Sequence, residues 1–508
     1  MTAIEAGRTV AVVGTGTMGQ GIAQVALVGG HPVRLYDALP GRAAEAAESI
    51  GRRLDRLVEK GKLPPAERAA ARACLLPATT LPELADAALV IEAIVEELSA
   101  KRALFAALED VVGEDCLLAT NTSSLSVTAV AGALRLPGRF VGLHFFNPAP
   151  LLPLVEVVSG FATDEAAATT AYETAAAWGK SPVRSADTPG FIVNRIARPF
   201  YAEALRVYEE RAAEPATIDA VLRESGGFRM GPFELMDLIG QDVNEAVTRS
   251  VWEGFFRDPK FTPSLAQRRL VEAGLLGRKA GRGWYDYAEG AAGQLPHTAE
   301  PCPAPAAVAV HTRLAGPAAV LQELMEEAGI KVTTERTPGE HEGCIRLPGG
   351  ARLALTDGHP ATGDTTGPTV RFDLALDYRT ATRVALAPGA EAAPQDVREA
   401  VGLFQALGKK VSVIEDVPGM IVARTVAMIV DFAADAEARG VASREDIDTA
   451  MRLGVNYPGG PSEWAARLGR HWLWNLLNTL HHQYANGRYG PSWALRRSLT
   501  PDHGMLQS

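Results

Sequence analysis

Thr9-Val10-Ala11-Val12-Val13 is a short, apolar, β-branched run, and Gly14-Thr15-Gly16-Thr17-Met18-Gly19 follows it directly. The run has the composition of a buried parallel strand, and the next stretch, Gly21-Ile22-Ala23-Gln24-Val25-Ala26, reads as a helix. A G-x-G-x-x-G element between strand and helix is the setting its mechanics require. Gly14 permits a tight turn, Gly16 lets the backbone approach a pyrophosphate, and Gly19 lets helix and strand pack closely. Thr17 and Met18 complete the loop where the first N–H groups of the helix face the anion. Working outward, a second strand-like run, Val33-Arg34-Leu35-Tyr36, ends in Asp37, 23 residues after Gly14. An acid there suits ribose hydroxyls and repels a 2′-phosphate, so the element reads as a site for NAD rather than NADP. A glycine-rich turn that binds nothing is the alternative, and this context speaks against it.

The alternation continues. Residues 41–62 read as a charged helix, 88–93 as an apolar strand, 98–112 as a helix, and 116–120 and 139–145 as further strands. That order predicts an α/β Rossmann-type domain, with ligands at the carboxyl ends of its strands. Polar residues stand at such ends: Glu96, Asn121-Thr122-Ser123-Ser124 and His144. At 508 residues the chain exceeds one core, and about 150 residues per domain suggests roughly three. Its 47% hydrophobic and 22% charged content describes a globular protein, not a disordered one. A net charge of −10 argues against nucleic acid as a partner, because phosphate binding draws on a basic field. Cys74, Cys116, Cys302 and Cys344 form no C-x-x-C pair, so neither a disulfide framework nor a metal cluster is expected, and a reducing, cytoplasmic compartment is. No apolar run reaches the ~18 residues of a membrane span, and a strand starts too early for a signal peptide to precede it.

His144 lies in Gly142-Leu143-His144-Phe145-Phe146-Asn147, ahead of a bend carrying Pro148, Pro150 and Pro153. The apolar run at 154–158 then carries one acid, Glu156, twelve residues from His144. If the prolines turn the chain back, the two side chains meet across adjacent strands, where a carboxylate fixes the imidazole tautomer that a general base needs. The residues alone leave two readings of His144 open, a satisfied polar residue at a strand end and a base. Ser123 is open in the same way, since N-T-S-S before an apolar run is a helix N-cap signal and the hydroxyl is also placed to bind.

GTGTMGQGIA, AIVEELSAK, NTSSLSVT, GLHFFNPAP, LVEVV and DTPGFIVNR occur in the order and spacing of the 3-hydroxyacyl-CoA dehydrogenase family, which the chain resembles over about residues 7–290. The stretch from WGKSPVR to MGPFELMDLIGQDVNEAVT looks most like the branch acting in phenylacetate degradation, whose substrate is 3-hydroxyadipyl-CoA. The resemblance implies NAD-dependent oxidation of the 3-hydroxyl of a (3S)-3-hydroxyacyl-CoA, as in β-oxidation, with 3-hydroxyadipyl-CoA or 3-hydroxybutyryl-CoA as substrate. It implies that His144 takes the hydroxyl proton while hydride passes from C3 to the nicotinamide, and that Glu156 orients and stabilises the imidazolium. Ser123 and Asn194 would bind the oxygens of the substrate, and Asn147 would position the nicotinamide side. Glu96 and Lys101 match positions near the nicotinamide ribose, and Lys279 one that a helical domain presents to the cofactor. Lys60 would meet the CoA phosphates, against a plain reading as a solvated lysine. Relatives on this fold oxidise carnitine or other small hydroxy acids, and a structural or sensor protein is the non-enzymatic alternative.

From residue 187 the pattern turns helical, with 191–210 expected as one long amphipathic helix entered through Pro189-Gly190, and Arg195 and Arg198, near Asn194, are open to two readings, partners of a distal substrate carboxylate or plain helix-surface arginines. The sequence then repeats itself. Asp416-Val417-Pro418-Gly419-Met420-Ile421-Val422-Ala423-Arg424 follows Asp187-Thr188-Pro189-Gly190-Phe191-Ile192-Val193-Asn194-Arg195 at an offset of 229, as Gly460-Pro461 follows Gly231-Pro232. In the copy His144 falls on Asp373, Glu156 on Ala385 and Asn194 on Ala423, and Thr312-Arg313-Leu314-Ala315-Gly316 replaces the phosphate loop. The expected plan is a Rossmann domain at 1–186, a helical domain at 187–290, a linker at 291–307, a truncated Rossmann-like domain at 308–415 and a second helical domain at 416–508. In the family the helical domain forms a dimer interface. The copy is expected to have lost chemistry and cofactor and to cover that face as an internal pseudo-partner, with a homodimer as the other option.

Overall fold

The computed structural model describes residues 2–336 and 343–499. The chain divides into two compact units, one of Met1–Arg195 with Arg439–Val455, the other of Ile196–Ala438 with Asn456–Ser508.

The first unit is built on eight strands: β1 (Thr9–Val13), β2 (Val33–Tyr36), β3 (Leu75–Ala78), β4 (Ala87–Glu92), β5 (Leu117–Thr120), β6 (Phe140–Phe145), β7 (Leu154–Ser159) and β8 (Ser181–Ala186). Their spatial order is β3-β2-β1-β4-β5-β6-β7-β8, parallel throughout except between β6 and β7. The order reverses between β1 and β4, the switch point at which such sheets open a crevice for ligands. Val10, Val12, Leu89, Ile91 and Ala119 are buried in one core, and Ala11, Val13, Val90 and Leu118 in the core of the opposite face. Burial on both faces is why these strands read as continuous apolar runs. The edge strands β3 and β8 go beyond the expected set. Each carries a proline, Pro77 and Pro182, which an edge tolerates because one side of the strand needs no N–H donor.

The described residues of the second unit form seven strands: β9 (Ala307–His311), β10 (Lys331–Glu335), β11 (Cys344–Arg346), β12 (Arg352–Leu355), β13 (Thr369–Phe372), β14 (Arg383–Pro388) and β15 (Lys410–Val413). They form a mixed sheet in the order β10-β9-β11-β12-β13-β14-β15.

The expected single helix over 191–210 is broken. Phe191 turns with φ 49°, a short helix spans Val193–Ile196, and a new one runs Arg198–Glu209. Pro199 accounts for the break, since it has no N–H for the ladder and its ring clashes with the preceding turn. Met428 stands at that offset in the copy, and there Val422–Ala438 is one continuous helix. Arg195 and Arg198 are buried rather than on a helix surface, at 2% and 5% exposure. Arg198 donates to Thr248 Oγ1 at 2.9 Å, and burial holds its guanidinium below the ordinary range.

Within the second unit the helix Val422–Ala438 packs on Arg198–Glu209, joining copy to original. Buried Glu203 accepts from Arg424 Nε (3.1 Å), Arg488 Nη2 (2.7 Å) and Tyr489 Oη (2.7 Å). Burial raises the Glu203 carboxyl, but Arg488 and Arg424 outweigh it and hold the group at about 2. Among the described residues no helix is long and apolar enough to cross a membrane, and no three His, Cys, Asp or Glu form a metal-binding group. The four cysteines are free thiols.

Candidate active site

The carboxyl end of β1 builds the nucleotide cradle. Gly14 has φ 96°, and a Cβ there would stand 2.5 Å from Ala93 O, so the turn excludes any side chain. A Cβ at Gly19 would lie 1.8 Å from Gly14 O, so the close approach is of helix to turn. At Gly16 a Cβ would meet nothing within 4 Å, and the backbone is bare toward open space. A cavity of ≈ 340 Å³ opens there, lined by Thr15, Gly16, Thr17, Gln20, Arg42 and Glu45. Met18 packs partly buried against the core below. Asp37 Oδ2 accepts from the Thr15 amide (3.0 Å) and hydroxyl (2.6 Å), and Oδ1 from the Leu39 amide (3.0 Å). Partial burial raises this carboxyl, but the bonds from Thr15 and Leu39 outweigh it and hold it below its usual value. A bare glycine backbone at a helix start, with an ionised acid at the end of the next strand, fits NAD.

Sequence reading missed the group that organises the next strand ends. Glu92 closes β4, wholly buried, and accepts from Lys101 Nζ (2.5 Å), Thr120 Oγ1 (2.6 Å) and the Ile94 amide (2.7 Å). Its signal is that of the others, a polar residue ending an apolar run. Lys101, 1% exposed, bridges to Glu96 at 3.1 Å. Glu96 Oε1 accepts from Thr122 Oγ1 (2.6 Å), the Ser123 amide (3.0 Å), and the Ser124 amide (3.2 Å) and hydroxyl (2.9 Å). Burial raises the Glu96 carboxyl, and Lys101 with the Thr122 and Ser124 bonds brings it below its ordinary value. The 122–124 turn is thus held by Glu96. The N-cap expected at Ser123 falls instead to Ser126, whose Oγ accepts from the Ala129 amide and donates to Asp187. No bond to Ser123 Oγ occurs among the described residues.

The antiparallel register of β6 and β7 sets His144 opposite Glu156. His144 Nδ1 lies 2.5 Å from Glu156 Oε2, while Oε1 accepts from the Ile192 (3.1 Å) and Val193 (2.9 Å) amides. A carboxylate only accepts, so Nδ1 donates, and in the neutral ring the lone pair is then on Nε2. Nε2 has no protein partner among the described residues. The rings of Phe146 and Phe191 flank the imidazole at 4.4 and 5.8 Å. Asn194 Nδ2 donates to Ser123 O at 3.4 Å, and Asn194 directly follows Val193, whose amide is held by Glu156. Asn147 is exposed just beyond β6. The geometry suits removal of a proton from a hydroxyl held beside the cradle.

Two other expected residues have contacts of their own. Lys60 is an exposed residue capping the helix Arg42–Glu59. Lys279 belongs to the second unit and pairs with Asp242 at 2.6 Å.

The copy keeps the register and changes the chemistry. Asp373 follows β13 with its amide on Ala385 O at 2.9 Å, the counterpart of the His144–Glu156 pair. Its own carboxylate accepts from the Ile421 (3.0 Å), Val422 (2.7 Å) and Ala423 (3.0 Å) amides. Burial pushes this carboxyl up to about 6 against those donors.

Family models described as 3-hydroxyacyl-CoA dehydrogenase, NAD binding domain, and as its C-terminal domain match residues 9–188 and residues 190–287 and 419–503. A 3-hydroxybutyryl-CoA dehydrogenase reduced Rossmann-fold domain matches 353–418. The chain is 44% identical to the 3-hydroxyadipyl-CoA dehydrogenase of Escherichia coli K12, over 98% of both chains. It is 42% identical over 277 residues to a probable 3-hydroxybutyryl-CoA dehydrogenase of Deinococcus radiodurans, covering 54% of this chain and 99% of that one. The crystal structure of a 3-hydroxybutyryl-CoA dehydrogenase from Escherichia coli K12 superposes with TM-score 0.87 and 43% identity, covering 97% of this chain and 98% of that one.

Proposed function

The chain belongs to the 3-hydroxyacyl-CoA dehydrogenase family and is an NAD-dependent oxidoreductase, and within that activity we propose that His144 is the base that takes the 3-hydroxyl proton of a (3S)-3-hydroxyacyl-CoA. The observation that carries the reading is the 2.5 Å contact between His144 Nδ1 and Glu156. It leaves Nε2 as the acceptor and keeps a negative charge beside the imidazolium that forms. Ser123 Oγ and Asn194 hold the reacting oxygens near Nε2, and the bonds of Glu96 to the 122–124 turn keep Ser123 in place. NAD, when bound in the Gly14–Gly19 cradle beside Asp37, supplies the hydride acceptor. Asn147, Lys101 and Lys279 are assigned to the cofactor, and Lys60 to the CoA phosphates.

We assign 3-hydroxyadipyl-CoA as the substrate, with 3-hydroxybutyryl-CoA as the second candidate, because relatives matched along nearly the whole chain carry those two names. Four free thiols suit the cytoplasm. The buried Glu203–Arg424–Arg488 cluster supports the second half as an internal pseudo-partner. The test of the reaction is NADH release from 3-hydroxyadipyl-CoA, 3-hydroxybutyryl-CoA and carnitine, for wild type and His144→Ala. The substitution is expected to cut kcat about 10²–10⁴-fold with NAD affinity retained. Undiminished turnover removes His144 from the mechanism.

A further inference from the structure

The two halves touch in a matched way inside each unit. In the first unit the amide of Ala186, at the end of β8, donates to Val441 O at 2.7 Å; in the second the amide of Glu415 donates to Ala212 O at 3.0 Å. Ala186 and Glu415 are 229 residues apart, and so are Ala212 and Val441. The halves have therefore exchanged equivalent segments. The helix Pro215–Glu224 of the first half packs on β14 of the second, while Arg444–Val455 of the second packs on β7 and β8 of the first.

The exchange continues to the far end of both helices. Ser225, buried, donates from Oγ to Arg383 O at 2.6 Å, and its carbonyl accepts from the Leu376 amide at 3.0 Å. Its counterpart 229 residues later is Gly454. A Cβ there would stand 2.6 Å from Leu154 Cδ2 and 3.1 Å from Val193 Cγ2, so the absent side chain is what lets these groups close on the helix. Both contacts fall on segments that bear on Glu156. Leu154 lies two residues before Glu156 on the same face of β7, and the Val193 amide is one of the two donors to Glu156 Oε1.

We propose that residues 439–455 of the second half are a positioning element of the active site, with Gly454 the contact that sets Leu154 and Val193 around Glu156. Every group in the acid–base pair comes from the first half, and the wall behind it comes from the second. The mirrored contact at Ser225 serves structure alone, because its sheet carries Asp373 and Ala385 in place of the pair. The inference rests on the reading of His144 and Glu156 as that pair.

The test uses the full-length protein, with Gly454→Leu, Ser225→Leu as the matched interface control, and His144→Ala as reference. Readouts are kcat, KM, the NAD dissociation constant and the thermal midpoint. Displacing Leu154 or Val193 by a fraction of an ångström to one ångström moves Glu156 against His144, so Gly454→Leu is expected to lose about 10- to 100-fold in kcat. KM and NAD affinity should change little, and Ser225→Leu should lower the thermal midpoint while kcat holds. If a leucine variant does not fold, Gly454→Ala decides. Its methyl meets Leu154 Cδ2, and Leu154→Val removes that carbon, so the second change should return the kcat that the first takes away. Wild-type kcat in Gly454→Leu or Gly454→Ala overturns the proposal, as does an equal kcat loss in Ser225→Leu. Full activity of His144→Ala would instead overturn the base assignment, which keeps the two failures distinct.

Discussion

Glu156→Gln separates the two duties of this carboxylate, because its oxygens serve different partners. Oε1 receives the Ile192 and Val193 amides, and Oε2 receives His144 Nδ1. A glutamine has two orientations. With its oxygen on the two amides, its NH₂ faces Nδ1 and forces the imidazole proton onto Nε2, where a base needs a lone pair. With its oxygen on Nδ1, the NH₂ faces two buried amide donors and leaves them unsatisfied, at about 1–3 kcal/mol each. Shifting an imidazole tautomer costs far less than two orphaned amides, so the first orientation wins. The variant should then lose roughly 1 kcal/mol of stability, as a charge-assisted bond becomes a neutral one. Its kcat should fall by about 10⁴, the size of effect seen when a carboxylate-to-amide change sets the wrong tautomer of a catalytic histidine. That is about 5.5 kcal/mol of barrier against about 1 kcal/mol of fold. Glu156→Ala should behave differently, adding several kcal/mol of destabilisation from two unpaired buried amides to the same loss of turnover. Single-turnover NADH formation, NAD binding and thermal unfolding on the same preparations give all three numbers. A Glu156→Gln protein within tenfold of wild-type kcat, or a Glu156→Ala protein with an unchanged midpoint, would refute the argument.

Other perturbations probe the rest of the chain. If the second half serves as a pseudo-partner, truncation after about residue 295 should leave a first half that dimerises or aggregates, and sizing by light scattering that finds a well-behaved monomer sinks the idea. Asp373→Ala should destabilise by about 4 kcal/mol or more by stripping four backbone donors of their acceptor, and Asp373→Ala/Ala385→Glu should recover part of it by supplying a carboxylate from the opposite strand, as chemical unfolding will show. Burial pushes the Asp219 carboxyl from 3.8 up to about 7, against bonds from Tyr285 and the Phe233 and Glu234 amides. The folded state then holds a proton that the unfolded chain has released, so stability should fall as pH rises from about 4 to about 7 and level off above. In Asp219→Asn that decline should disappear from the thermal midpoint, and an identical slope in both proteins would remove Asp219 as its source.

The glycine loop and the His144–Glu156 pair of the candidate site were legible because their signals are local. β1 runs straight into its glycines, and the twelve residues from His144 to Glu156 hold a proline bend that forces a hairpin. What stayed hidden depends on partners distant in sequence. Glu92 looks like the last residue of an apolar strand until Lys101 and Thr120 are seen to converge on it. Ser126 rather than Ser123 caps its helix because Asp187, 61 residues on, receives its hydroxyl. The edge strands β3 and β8 carry prolines that read as breaks, and only their place in the sheet makes them tolerable. That the segment Arg439–Val455 belongs to the first unit has no local signature, because a helix of the copy looks the same whichever sheet it covers.

The two halves share a structural demand and meet it differently. Ile192 and Val193 lie 229 residues before Ile421 and Val422, and in both halves these amides end on a buried carboxylate from the same strand pair. A helix that starts beneath a sheet exposes N–H groups that must be satisfied, so a carboxylate at this place is a structural requirement. The first half meets it from β7 with a long side chain that needs one oxygen for the amides and has the other left for an imidazole. The second half meets it from the opposite strand with a shorter side chain. Asp373 Oδ1 takes the Leu374 and Ala423 amides and Oδ2 takes those of Ile421 and Val422. No oxygen remains to orient a base, and the position a base would occupy is the one Asp373 itself fills. Histidine at 373 alone would remove the acceptor and orphan the helix start, and glutamate at 385 alone would set two carboxylates side by side in a buried space. Each single step alone should therefore destabilise the second half, because the hydrogen bonds of Asp373 are the ones that satisfy its helix start.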